Sequence, residues 1–115
     1  MMEMEILYIA SKLKKHSVAP ASIDKVRSLR TYTILALNCK CWDTLKEVYP
    51  NMINSIKEYL KSEGQVPVLC PTGEYGFESP RGFVKPLTKS DIPNIGLGAL
   101  LHYRLEFPEL EKYIQ

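Results

Sequence analysis

Apolar positions recur along this chain with two different spacings, and the change from one to the other divides it. Near the start, Ile6, Ile9, Ala10 and Leu13 fall on one helical face, which predicts a helix over residues 2–15. Lys12, Lys14 and Lys15 stand near its end, where the helix dipole favours cations. The run HSVAPAS reads as a loop. Ser22 is a suitable N-cap for a second helix carrying Ile23, Val26 and Leu29. Residues 31–38, TYTILALN, are ambiguous: Thr, Tyr and Ile favour a strand, but no Gly or Pro stands between Ala21 and Tyr49 to stop the helix. Continuation of the helix is the reading adopted here, with the strand as the alternative.

The plainest helical pattern is DTLKEVYPNMINSIKEYLKSEG, residues 43–64. Leu45, Val48, Tyr49, Met52, Ile53, Ile56 and Leu60 form one stripe that passes Pro50 without losing phase. Asp43 suits an N-cap and Gly64 suits the stop. This predicts one long helix, kinked at Pro50, with its stripe in the core.

Beyond Gly64 the spacing changes to two. The motif X-Pro-X-Gly occurs twice, as Cys70-Pro71-Thr72-Gly73 and Ser79-Pro80-Arg81-Gly82. Pro at the second position and Gly at the fourth are what a type I turn prefers. Between them, Tyr75 and Phe77 alternate with the glutamates. The expectation is a three-strand antiparallel meander over residues 65–70, 74–78 and 83–87, with Pro67 and Pro86 at edges or at positions that need no backbone donor. Thr88 with Asp91 resembles a capping pair. Leu97, Leu100, Leu101 and Leu105 predict a helix over 93–106, and Pro108 opens a short last helix holding Leu110, Tyr113 and Ile114. The pattern as a whole predicts an α+β fold, one predominantly helical domain over residues 1–115 with four or five helices and a small β-meander near residues 65–87.

Composition adds limits. The chain has 115 residues, 45% hydrophobic and 24% charged, enough apolar material for a core without cross-links. Its net charge is only +2, too small to imply a polyanionic partner. The charge is uneven, however: residues 1–46 hold eight Lys/Arg against four Asp/Glu, and the remainder seven against nine. Three cysteines cannot all pair within the chain, the start carries Glu3 and Glu5 where a signal peptide has basic residues, and no apolar run reaches about 20 residues. A cytoplasmic protein with no membrane partner is expected.

Candidate chemistry is sparse. Cys39, Cys41 and Cys70 with His16 or His102 supply four zinc-type donors, but only one tight pair where a zinc site usually has two. Cys39 or Cys41 as a nucleophile would need a basic neighbour and an orienting group, and Lys40 alone does not make that arrangement. Gly96-Leu97-Gly98 lacks the third glycine and preceding strand of a dinucleotide loop. No cofactor or metal is therefore assigned. The carboxylates Glu74, Glu78, Asp91, Glu106, Glu109 and Glu111 sit in no motif that fixes an acid/base pair; an enzyme site built from distant residues, around His102 for example, would leave no such mark.

Two binding readings follow. The turn-rich segment presents Glu74, Tyr75, Phe77, Glu78, Arg81 and Phe83, a mixture of aromatic and charged side chains suited to a protein partner. With no catalytic constellation beside it, the expectation is a small non-enzymatic protein-binding domain, and the commonness of such roles among small single-domain proteins makes it an inhibitor or immunity-type protein, which neutralises a toxin or a defence enzyme. The second reading is nucleic-acid binding through Lys12, Lys14, Lys15, Lys25, Arg27, Arg30 and Lys40 of the N-terminal helices.

Overall fold

The computed structural model describes residues 2–16 and 23–92. The helices expected over 93–106 and after Pro108, the Ser22 cap and His102 lie outside the described residues. Within them are four α-helices, α1 (Met2–His16), α2 (Ile23–Asn38), α3 (Trp42–Val48) and α4 (Pro50–Ser62). They are followed by strands β1 (Val66–Leu69), β2 (Tyr75–Ser79) and β3 (Gly82–Val84), then a single 3-10 turn, Lys89–Asp91. The fold is α+β and predominantly helical, with the sheet order β1-β2-β3 and both pairings antiparallel.

Helix α2 is the centre of the molecule. It packs against α1, α3, α4 and the middle strand β2, and its stretch Tyr32 to Ala36 is buried on every side. Residues 31–38 are thus helical. A helix covered all round has no polar face, so its sequence loses the amphipathic period that would have identified it. Ile9 and Leu13 of α1, Leu29, Ile34 and Leu35 of α2, Leu45 of α3, Ile53 and Ile56 of α4, and Phe77 of β2 meet in one core. Each such side chain contributes about 1.5–3 kcal/mol by leaving water.

The long helix expected over 43–64 is two helices. Tyr49 adopts φ −129°, ψ 59° between them, because the ring of a following proline excludes the helical region for the residue before it. Pro50 then opens α4 at its first position, where the missing N–H costs nothing. The stripe survives in part: Leu45, Ile53, Ile56 and Leu60 are buried, whereas Val48 is turned out to solvent. Asp43 is likewise not the cap. It sits in the first turn of α3, after Cys41, and pairs with Lys46 at 3.0 Å.

Both α2 and α4 end in the same way. After α4, the Gln65 N–H reaches the Leu60 carbonyl (2.9 Å) and the Gly64 N–H reaches that of Lys61 (3.1 Å). Gly64 has φ 72°, the left-handed residue such a terminus requires. After α2, Cys41 bonds to Ala36 (3.0 Å) and Lys40 to Leu37 (3.3 Å), and here the left-handed position is taken by Lys40 at φ 59°.

Candidate functional site

The meander is built by the two turns. Cys70 to Gly73 closes through the Gly73 N–H on the Cys70 carbonyl at 2.9 Å, and the Cys70 N–H bonds to the Glu74 carbonyl at 2.9 Å. In the second turn, the Ser79 hydroxyl donates to the Gly82 carbonyl (2.8 Å) and accepts from the Arg81 N–H (3.3 Å). The strands are a residue or more away from their expected bounds, and β3 stops at Val84 rather than 87.

Register decides which groups face where. The Cys70–Glu74 bond fixes the bonded pairs of β1 and β2 at Val68↔Gly76 and Val66↔Glu78. Pro67, opposite Phe77, therefore turns its nitrogen to the open edge of the sheet, as expected for a proline. On the other side of β2 the bonded pairs are Phe77↔Val84 and Ser79↔Gly82. The same register would set Tyr75 against Pro86, which has no N–H to offer. Asn38, the last residue of α2, fills that place. Its carbonyl oxygen accepts from the Tyr75 N–H at 2.6 Å, and its amide donates to the Tyr75 and Leu87 carbonyls at 2.9 and 2.7 Å. One side chain thus stands in for a strand and ties the meander to the central helix.

The residues expected to contact a partner divide between two faces. Phe77 is 1% exposed and belongs to the core, so it leaves the candidate surface; its side of β2 is the one that packs on the helices. Tyr75 shares that side and is half-buried, as is Glu74 just before the strand. The outer side carries Glu78, flanked across the sheet by Val66 and Phe83, which are 49% and 55% exposed. Phe83 lies across Gly76: a Cβ there would fall 2.6 Å from the ring, so only glycine lets the ring lie down on the sheet. Arg81 stands exposed at the hairpin tip.

Behind this tip is an open groove of about 430 Å³, between α2, the end of α4 and the β2–β3 hairpin. Arg27, Arg30 and Arg81 line it with Tyr59, Glu63 and Phe83. Arg30 donates to the Gln65 side-chain oxygen at 3.1 Å. Its Nε and the Tyr59 hydroxyl are shut off from solvent, and neither finds a protein partner among the described residues. Loss of solvent and the nearby Arg27 charge lower the Arg30 pKa. Burial, then the Glu63 carboxylate, raise that of Tyr59, which keeps its hydroxyl a donor. The pairing of Arg27 and Arg30 with Arg81, 51 or more positions away, was not visible in the sequence; only the shared charge of the two helix residues was.

The basic residues of the first two helices do not form one surface. Lys12 and Lys25 are each only 8% exposed. Lys12 lies over the Tyr8 and Tyr32 rings, at 5.7 and 5.9 Å, and Lys25 over Tyr59 at 4.7 Å. Arg27 and Arg30 face the groove, Lys40 stands at the turn after α2, and Lys14 and Lys15 are exposed at the end of α1.

The three cysteines are free thiols. Burial, with the Glu5 charge second, pushes Cys39 up to about 11; burial, with Cys39 second, pushes Cys41 up to about 12. Both are protonated at neutral pH and poor nucleophiles. No group of three or more metal-ligating side chains occurs among the described residues, and no helix among them is long and apolar enough to cross a membrane. No protein-family model matches the chain, and comparison with characterised proteins and with solved structures finds no match to either.

Proposed function

We propose that this chain is a small non-enzymatic protein-binding domain of the inhibitor or immunity type, which neutralises a partner protein such as a toxin or a defence enzyme. Its docking surface is the outer side of the meander with the hairpin tip: Val66, Glu78, Arg81 and Phe83. The observation that carries this reading is the row Val66–Glu78–Phe83, where a carboxylate is set between two apolar side chains exposed by about half. Aromatic side chains are enriched at interfaces and charged groups fix register, so Phe83 would serve as the anchor and Glu78 as the charge that sets register. Val66 also lines an apolar recess of about 290 Å³ with Trp42, Leu60 and Pro67, which extends the apolar surface beside the open edge of β1. The free thiols support a reducing, cytoplasmic setting.

The test is affinity capture from the native cell with the wild-type chain beside Phe83→Ala and Glu78→Lys. Both positions are exposed, so both variants should fold. The expected outcome is a stoichiometric protein held by the wild type and retained about thirtyfold more weakly by each variant, the loss typical of an interface hot spot. A partner held equally by all three would refute the assigned surface. Nucleic acid that co-elutes and is stripped by salt would replace the reading with the second one.

A further inference from the structure

We propose that the groove between α2, α4 and the β2–β3 hairpin is a binding site for a phosphomonoester carried on an apolar or aromatic body. The proposal goes beyond the protein-docking reading and does not depend on it, although the two share Arg81 and Phe83.

Charge is the first argument. Arg27, Arg30 and Arg81 converge on one groove whose only carboxylate among the lining residues is Glu63. The described lining residues, three arginines and one glutamate, thus carry a net charge of +2, which matches a phosphoryl dianion better than a single carboxylate. Guanidinium groups present paired N–H donors at the spacing of phosphate oxygens, so each can bind in a bidentate manner.

Unmet hydrogen bonding is the second. The Arg30 side chain is fixed on one side by Gln65. Its Nε N–H and the Tyr59 hydroxyl both belong to residues of the groove wall, and both lack an acceptor among the described residues. A buried donor without an acceptor is unfavourable and rare; both are closed to solvent, so a ligand rich in acceptor oxygens would satisfy them with a small shift of the groove wall. Lys25, seated on the face of the Tyr59 ring, places a further cation beside that side chain.

The third argument is shape. Two large apolar side chains exposed on the protein, Ile23 and Phe83, stand in the same groove together with Val26 and Pro80. They offer an apolar wall next to the arginines, so the phosphoryl group is expected to arrive on a body that can lie against Phe83. The volume of about 430 Å³ lies within the range of small-molecule sites.

The experiment is calorimetric titration of the full chain with phenyl phosphate, inorganic phosphate and benzoate, repeated on Arg27→Ala, Arg81→Ala and Tyr59→Phe. Arg27 and Arg81 are exposed, so their removal leaves the fold intact, and unchanged circular dichroism verifies this. Phenyl phosphate should bind saturably and about tenfold tighter than either of the other probes, and each arginine variant should lose about tenfold, the range of one charge-assisted contact. Tyr59→Phe should lose less, and added salt should weaken binding. The proposal is overturned if phenyl phosphate shows no saturable binding, if benzoate or inorganic phosphate binds as well, or if both arginine variants retain full affinity. A failure of phosphate binding leaves capture of a protein partner by the outer sheet face standing, since that capture is read from the Val66, Glu78 and Phe83 row and not from the groove.

Discussion

Asn38 ties the meander to the central helix. Its three hydrogen bonds to Tyr75 and Leu87 replace the strand that Pro86 interrupts. Asn38→Ala would strand the Tyr75 N–H and two carbonyls in a partly buried place, at a cost of about 2–4 kcal/mol, read as a lower urea midpoint. Asn38→Asp keeps an acceptor for the Tyr75 N–H but sets a charge against two carbonyl oxygens. It should be as damaging at pH 7 and recover in part below about pH 4, where the carboxyl regains a proton to donate. Equal stability of wild type and Asn38→Ala would show that the clamp is idle. None of this was legible in the sequence, because Asn38 and Tyr75 are 37 positions apart and Asn at a helix end suggests only a local role. The same holds for Arg30, whose partner Gln65 is 35 positions distant. Cys41 is a different case, a thiol fully buried in the core. With its pKa raised from 9.0 to about 12, the native state holds its proton where the unfolded state releases it. The associated stabilisation is complete below pH 9 and is lost as pH rises from there towards 12. At pH 8, iodoacetamide should modify the half-buried Cys70 well before the fully buried Cys41; equal rates by mass spectrometry would contradict the burial.

At the scale of elements, sequence pattern and structure agree where the signal is local and diverge where it is not. The end of α4 at Gly64, the two Pro-Gly turns, and the Thr88–Asp91 cap (Thr88 N–H to the Asp91 carboxylate, 2.7 Å) were all legible, because each rests on the conformational preference of one or two residues. The break at Tyr49 was not. The apolar stripe around Pro50 is compatible with one kinked helix or two, and only the packing of α3 against α4 distinguishes them. Residues 31–38 were ambiguous for the opposite reason, since burial on all sides erased their period. The paired helix endings yield a direct test. Gly64 is relaxed at φ 72°, and an added Cβ would also lie 3.1 Å from the Pro80 ring. Lys40 holds a similar angle with a side chain attached, a conformation costing non-glycine residues about 1–2 kcal/mol. Lys40→Gly should therefore raise stability by about 1 kcal/mol, and Gly64→Ala should lower it by at least as much. Thermal melts of the two variants that moved in the same direction would refute the shared geometry.

At the scale of the whole molecule, the described helices form the core and the meander packs on α2 through its middle strand. The central helix supplies part of the core, the Asn38 clamp and two groove arginines. Turn chemistry and alternation marked residues 74–83 as a turn-rich, alternating segment in the sequence. Its division into an inner face with Phe77 and an outer face with Glu78 and Phe83 needed the register. The uneven charge of the chain has a structural counterpart too: Lys12 and Lys25 are drawn onto tyrosine rings rather than gathered on an open face, which weakens the case for a nucleic-acid surface. The most direct test of docking by the outer sheet face is amide hydrogen exchange on the wild-type chain, free and in the complex that affinity capture returns. Added protection should centre on residues 76–84 and on Val66, with the exposed end of α1 around Lys14 and Lys15 unchanged. Protection centred on α1, with the meander exchanging as in the free chain, would contradict it.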